Sequence, residues 1–359
     1  MTNPPPKLSE RQTDKLPSLF LRYRAEITAA LREALAPRQS SKDAIAVYDM
    51  LRYYMGWADA EGNPIVATEG KYLRPTLCLF ACQVTGGSLE QAMPAAVALE
   101  LIHNFSLIHD DIQDKDETRH HRKTLWALWG IPKALVAGNV LRVVADSSLE
   151  GLVRRGVDAD TALGVASLLT EAYLEMIEGQ YLDLSFEGQP DLGMQDYQGM
   201  IARKTGALIR CAFTMGALIG SGDAGTANAF RASGEALGFI FQVRDDVLGV
   251  WGDEQATGKP VGADIRRKKN SFPVVHAMSQ ATGSEKTSLL NIYRHDEVAE
   301  SDVDRVLRIM EKAETRECAH KMAVEHGRDA ADALESVELD PTARAEIDEL
   351  IQFLLVREH

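Results

Sequence analysis

The chain has 359 residues, of which 45% are hydrophobic and 26% are charged, a balance typical of a water-soluble globular protein. Its formal net charge of −14 excludes general nucleic-acid binding, which requires a basic surface. No apolar run is long enough to span a membrane, so stable membrane insertion is excluded as well. Anionic substrates are not excluded, because a bound metal ion can reverse the local potential.

Residues 1–15 are polar and proline-rich and contain no secretory signal, which predicts a disordered tail on a cytoplasmic protein. Beyond them, apolar residues recur at helical spacing, and strand-like alternation is hard to find. In chain order, we predict helices at 19–35, 41–57, 71–86, 88–114, 133–155, 159–186, 194–220, 224–251 and 267–281. Shorter amphipathic helices follow toward the C-terminus.

No repeat, linker or break in composition divides the chain, which predicts a single all-α domain over residues 16–359. The helix at 88–114 is apolar on all sides, so we expect it at the centre, with the helices packed around a cavity. The cysteines complete no zinc pattern and are too sparse for a secreted disulfide framework. We therefore expect reduced thiols at Cys78, Cys82, Cys211 and Cys318.

The central helix ends in the acidic stretch HDDIQDKD, residues 109–116. Asp110 and Asp114 are four residues apart and share a helix face, with Asp111 beside them. Carboxylates this close repel each other unless a cation lies between them, and Mg²⁺ prefers oxygen ligands. Alone, the cluster is more typical of a solvated helix end, and Asp116 is expected to face solvent.

A second acidic pair favours the metal hypothesis. Asp245 and Asp246 stand near the end of another long apolar helix, one turn after Gln242. Two apolar helices with acidic ends predict facing walls of one metal-lined pocket. The alternative is two unrelated helix ends.

Cationic residues near both acidic pairs complete this pattern. They lie in GKYLRP, TRHHRK, RKTG and TGKP, and include Lys71, Arg74, Arg119, His120, Lys204 and Lys259. Each alone is most often a surface charge. Together with two acidic pairs they indicate a diphosphate site, where metal ions and cations bind different oxygens. His103, two turns before Asp110 on the same face, suggests a second anion site.

Five blocks of the sequence resemble the trans-isoprenyl diphosphate synthases, the polyprenyl synthetase family, in order and spacing. They are GKYLRP, ELIHNFSLIHDDIQD, GQYLDL, KTGALI and FQVRDDVLGVWGDEQATGKPVGADI, within about residues 65–280. The resemblance implies the all-α isoprenoid synthase fold, a homodimer and a prenyltransferase that depends on Mg²⁺, with Mn²⁺ as an alternative ion.

The resemblance also implies a role for each residue of the pattern. Asp110 and Asp114 would hold two Mg²⁺ ions with support from Asp111, and Asp245 would hold a third with Asp246 nearby. The diphosphate of an allylic substrate, or its metals, would contact Arg119, Lys204, Thr205, Gln242 and Lys259. Isopentenyl diphosphate would be bound through its own diphosphate by Lys71, Arg74 and His103.

These residue types fit a reaction in which diphosphate leaves the allylic substrate and the double bond of isopentenyl diphosphate attacks the resulting cation. No side-chain nucleophile is needed, and an apolar cavity keeps water from the cation. Phe105 would block a long prenyl tail, whereas Ser106 leaves room. This pattern resembles synthases of geranylgeranyl diphosphate (C20), with farnesyl diphosphate (C15) next. The alternative role of Phe105 is core packing.

The sequence departs from the family pattern at several positions. His120 stands where a second arginine commonly helps to bind isopentenyl diphosphate, which predicts a weaker or pH-sensitive site. Arg122 is a candidate substitute for that arginine. Lys123 replaces a usual Pro, Asn139 a usual Asp, and Gly249 the third Asp of the second acidic motif.

Two other functions stay open at this point. A class I terpene cyclase-like enzyme would ionise a similar substrate without a second one, but Lys71, Arg74 and His103 then have no purpose. A non-catalytic subunit could regulate a partner synthase, but the intact acids of both motifs argue against it.

Overall fold

The structure, a computed structural model, describes residues 17–37, 42–65, 70–252, 260–295 and 297–356. The tail predicted at 1–15 and the candidate residue Lys259 lie outside the described residues.

Helices form almost all of the described secondary structure. The first are α1 (Ser18–Arg22), α2 (Arg24–Ala34), α3 (Lys42–Tyr54), α4 (Leu73–Val84), α5 (Leu89–Gln113), α6 (Leu125–Trp129), α7 (Ile131–Leu149), α8 (Gly151–Arg154) and α9 (Ala159–Phe186). They are followed by α10 (Met194–Ile201), a π-helical turn (Ala202–Gly206), α11 (Ala207–Ser221), α12 (Ala224–Trp251), α13 (Ala263–Arg266) and α14 (Phe272–Gln280). The last are α15 (Gly283–Arg294), α16 (Glu300–Lys312), α17 (Thr315–Asp332) and α18 (Pro341–Val356). The all-α prediction is confirmed.

The buried helix α5 forms the centre of the molecule. Ser88 caps its start: the Ser88 side chain accepts a hydrogen bond from the Gln91 N–H, and Gln91 accepts one from the Ser88 N–H. Apolar side chains on all sides of α5 pack against α4, α7 and α11. After Gln113 the chain turns at Lys115, whose φ is 57°. The acidic stretch therefore lies at the end of a long, buried helix.

The predicted helix boundaries differ from the observed ones in several places. The segments 19–35 and 133–155 each form two helices, with breaks at Tyr23 and Glu150. The segment 194–220 is interrupted by the π-helical turn, and helix 71–86 begins two residues later than predicted. In the three interrupted segments the apolar spacing continues across the break, so periodicity alone does not reveal it.

A small hairpin between α5 and α6 was not predicted. Strand β1 (Thr118–Arg119) pairs antiparallel with β2 (Arg122–Lys123). The turn is made by His120 and His121, with φ of 48° and 60°. Such tight hairpin turns require left-handed backbone, and strands this short leave no detectable alternation.

None of the described helices is long and apolar enough to cross a membrane. All four cysteines are described, and all are free thiols.

Candidate active site

A cavity of about 460 Å³ lies between α4, α5, α9, the π-helical turn, α11 and α12. Polar and charged side chains line one part of it and apolar side chains the rest. It brings together nine of the predicted site residues: Arg74, His103, Phe105, Ser106, Asp110, Lys204, Thr205, Gln242 and Asp245. The two acidic helix ends thus face one cavity, as the sequence predicts.

Asp110 is the acidic residue of the first motif that lines the cavity. Burial raises the pKa of Asp110 to about 6; the Asp114 carboxylate adds to this, while the Lys204 ammonium opposes it. Because burial disfavours the ionised form of Asp110, any cation that enters the cavity stabilises this carboxylate.

The other acids of the first motif have different surroundings. Asp111 is buried, and its Oδ1 accepts a hydrogen bond from Arg119 Nε at 2.7 Å. Among the described residues, its Oδ2 has no partner. Asp114 is exposed at the end of α5. Asp116 was expected to face solvent; it is half-buried, and its carboxylate pairs at the surface with Arg267, 151 residues away.

Lys204 is presented to the cavity by the π-helical turn, a distortion that recurs at functional sites. Its ammonium group pairs with Asp183 on α9. Close packing of α9 against this turn requires glycine, because a Cβ atom at Gly179 would lie 2.2 Å from the Lys204 backbone nitrogen. Asp183 was missed as a site residue, although GQYLDL, which contains it, was one of the five blocks.

Asp246 does not line the cavity with its neighbour Asp245. It is 1% exposed and accepts hydrogen bonds from Gln242, from the hydroxyl of Tyr197 and from the backbone N–H of Phe272. Burial raises the pKa of Asp246 to about 6. These contacts make Asp246 a structural acceptor inside the protein.

Lys269 is a cation that the sequence analysis missed. Burial alone would lower its pKa, but the carboxylates of Asp264 and Asp246 raise the pKa above its usual value. The Lys269 ammonium lies 3.9 Å from Asp246 Oδ1. Its signal was one charge among four in RRKK, which sequence alone cannot distinguish from a solvated surface.

The predicted second anion site contains Arg74 and His103 in the same cavity. Burial lowers the pKa of Arg74 to about 10, against the attraction of Glu100 and Asp245. Burial and the cations Arg74 and Arg119 hold the pKa of His103 well below its usual value. Arg74 therefore supplies charge, and His103 is a neutral hydrogen-bonding group. Glu100 was missed, although an acid inside an apolar helix is a signal.

Other residues predicted for the second anion site lie outside the lining. Lys71 precedes the first turn of α4. His120 is exposed in the hairpin turn. Arg122, the candidate substitute, donates to the carbonyl of Ala58 at 2.8 Å and lies 4.1 Å from the Tyr53 ring. Those contacts commit Arg122 to holding the hairpin.

The donor set suits Mg²⁺. The cavity presents carboxylates from two helices, which are the hard oxygen ligands that this ion prefers. In the part of the chain that the structure describes, no three acidic, histidine or cysteine side chains converge closely enough to hold one ion by themselves. This arrangement agrees with Mg²⁺, because the ion usually takes one or two carboxylates and completes its shell with water and substrate phosphates.

The fold and the cavity define a class, an all-α enzyme for substrates with an anionic head and an apolar tail. The family model described as polyprenyl synthetase matches residues 57–310, and the chain belongs to this family. It is 36% identical to a geranylgeranyl diphosphate synthase of Mycobacterium tuberculosis over 88% of each chain. It is 33% identical to a (2E,6E)-farnesyl diphosphate synthase of Mycobacterium bovis, over 99% of this chain and 97% of that one.

Solved structures agree with this assignment. The crystal structure of a polyprenyl synthetase from Streptomyces coelicolor superposes with a TM-score of 0.85 at 34% identity, covering 94% of this chain and 98% of that one. The isoprenoid synthase fold and the trans-prenyltransferase class are confirmed.

The missing third aspartate of the second acidic motif is explained by Asp264. A Cβ atom at Gly249 would lie 2.2 Å from Asp264 Oδ2, so Asp264 already occupies this space. We expect Gly249→Asp, which restores the family pattern, to lower kcat at least about tenfold, because the new side chain displaces Asp264. Steady-state kinetics measure this. A G249D variant faster than the wild type would contradict the explanation.

Proposed function

We propose that the protein condenses isopentenyl diphosphate with an allylic prenyl diphosphate to a short-chain trans-prenyl diphosphate. The main support is that Asp110, Asp245 and Lys204 line the same cavity as a set of apolar side chains. The apolar part of the lining includes Met176, Ile177, Leu184, Leu208 and Phe241. Such a cavity accepts a charged head and a hydrocarbon tail at once.

The allylic diphosphate would bind between α5 and α12. Asp110, Asp114 and Asp245 would hold Mg²⁺ there, with three ions in all and Mn²⁺ as an alternative. When bound, Mg²⁺ neutralises the diphosphate and makes it a better leaving group. Lys204 supplies a further charge on the same side of the cavity.

Isopentenyl diphosphate would bind beside it, with its diphosphate on Arg74 and His103. Its double bond then attacks the allylic cation, and the proton lost from the new chain passes to the departed diphosphate. The apolar walls exclude water, which would otherwise quench the cation. The face of the Phe105 ring, in the cavity lining, also favours positive charge.

Geranylgeranyl diphosphate (C20) is the proposed product, and farnesyl diphosphate (C15) is the second candidate. Relatives with both product names match at similar identity, 36% and 33%, so overall similarity does not choose between them. Phe105 supports short-chain products over longer ones, because its buried ring lies in the wall of the cavity and would block a long prenyl tail.

The function is tested by incubating the purified protein with Mg²⁺, isopentenyl diphosphate and dimethylallyl, geranyl or farnesyl diphosphate in turn. We expect elongation, with C20 as the main product. Hydrocarbon released without isopentenyl diphosphate would instead indicate a cyclase. No turnover with any primer would indicate a non-catalytic subunit.

We also propose a homodimer in the cytoplasm. Large apolar side chains outside the cavity lining are exposed on the adjacent helices α7 and α9, and they are Ile131, Leu135, Val136, Val143, Leu163 and Leu174. A second copy would cover this surface. Sedimentation velocity measures the oligomeric state. The four free thiols agree with a reducing compartment.

A further inference from the structure

A chain of hydrogen bonds leads from the cavity wall into the core. Thr205 Oγ1 donates to Gln242 Oε1 at 2.5 Å, and Gln242 Nε2 donates to Asp246 Oδ1 at 2.7 Å. The hydroxyl of Tyr197 donates to Asp246 Oδ2 at 2.6 Å. We call Thr205, Gln242, Asp246 and Tyr197 the relay. It connects the π-helical turn, α12 and α10.

The direction of the relay follows from its carboxylate. An ionised carboxylate only accepts hydrogen bonds, so Gln242 must turn its amide nitrogen toward Asp246. The amide oxygen of Gln242 then faces Thr205, and Thr205 must donate its single hydroxyl proton to that oxygen. As a result, the Thr205 hydroxyl can offer only its lone pairs to the cavity.

A hydroxyl that only accepts cannot donate to a diphosphate oxygen, but it suits an incoming donor such as metal-bound water. We propose that the relay fixes Thr205 as an acceptor for such a donor, and that Tyr197 is the positioning residue at the buried end. This inference rests on the proposed function. Under this inference, the Thr205 hydroxyl accepts a hydrogen bond from a group that surrounds the diphosphate, such as metal-bound water, and does not contact the diphosphate oxygens.

Tyr197 controls the relay because the end of the relay formed by Tyr197 and Asp246 is buried away from solvent. Tyr197 is fully buried and Asp246 is 1% exposed, so water does not readily replace a lost hydroxyl. When the Tyr197 hydroxyl is removed, the backbone N–H of Phe272, at 2.8 Å, is the remaining donor to Asp246 Oδ2. The carboxylate is then free to turn toward Lys269, which lies 3.9 Å from Oδ1, and to draw Gln242 and Thr205 out of position.

The test measures the binding of inorganic diphosphate in the presence of Mg²⁺ by calorimetry, together with kcat and KM for both prenyl substrates. Tyr197→Phe should weaken diphosphate binding about tenfold, the effect of one hydrogen bond to a charged group. Asp246→Asn keeps the size but reverses the relay, because its amide N–H faces Gln242 Oε1 and frees the Thr205 proton. It should weaken binding at least as much, as should Thr205→Val.

Two further comparisons separate positioning from a general structural effect. The double variant Y197F/T205V should bind no more weakly than T205V, because members of one relay are not additive. Thr205→Ser should recover affinity lost in T205V. Tyr293→Phe is the matched control: Tyr293 is 2% exposed and its hydroxyl has no partner among the described residues, so wild-type affinity is expected.

Wild-type affinity in Y197F, or fully additive losses in the double variant, would overturn the proposal. If circular dichroism shows that Y197F does not fold, D246N decides: wild-type binding in D246N beside weak binding in T205V would disprove the polarity argument. A wild-type protein without turnover would overturn the proposed function instead. The diphosphate affinities of the variants would still test the relay.

Discussion

Phe105→Ala yields prenyl diphosphates at least one isoprene unit longer than those of the wild type. Phe105 is 7% exposed and lines the cavity, and its ring centroid lies 4.6 Å from that of His109. Removing the ring opens space in the wall where a growing tail would otherwise stop, and apolar space of this kind accepts hydrocarbon. Chromatography of the dephosphorylated products measures the change in length.

Phe239→Ala is the matched control for this substitution. The Phe239 variant also loses a ring, but from a half-buried position on α12 outside the cavity lining, where the ring centroid lies 4.0 Å from that of His326. Its product distribution should equal that of the wild type. Unchanged products in F105A would show that Phe105 serves core packing, as the alternative interpretation holds.

Asp110→Asn and Asp245→Asn each lower kcat by on the order of 10²- to 10³-fold with the fold intact, as expected when a group that stabilises developing charge is removed. The two carboxylates line the cavity from different helices. Each substitution would therefore remove one proposed metal ligand and leave the other helix unchanged. Single-turnover kinetics measure the chemical step, and circular dichroism reports the fold.

Asp116→Asn provides the comparison within the same acidic stretch. The Asp116 carboxylate pairs with Arg267, and its carbonyl accepts hydrogen bonds from Thr124 and Trp126. Its substitution should leave kcat near the wild-type value. Near-normal turnover in D110N or D245N would refute the metal assignment.

The sequence by itself determined the helical class, the family and nine of the residues that line the cavity. Apolar spacing at the helical period requires that α5 and α12 bury their faces, which brings acids at their ends to one cavity. Ser88 could be recognised as a cap because its partner Gln91 is three residues away. The helical spacing and the cap are local signals, because each depends on residues that are close together in the chain. The meeting of Asp110 and Asp245 was inferred instead from two apolar helices that both end in acids.

Local sequence did not decide which member of an acidic pair faces the cavity. Adjacent helix residues point about 100° apart, so Asp245 lines the cavity while Asp246 accepts hydrogen bonds in the core. The sequence pattern contains both carboxylates but not the orientation of α12. Only the packing of α12 against its neighbours sets that orientation.

Partners distant in the chain were also decided by tertiary structure alone. Lys204 meets Asp183 across two helices, Asp116 meets Arg267 across 151 residues, and Asp264 takes the space left by Gly249. By sequence, Arg122 was a candidate to replace the arginine that is missing at position 120. In the fold its guanidinium instead contacts the Tyr53 ring and the carbonyl of Ala58. A charge interacts with whatever the fold places within a few ångströms, and chain separation carries no information about that distance.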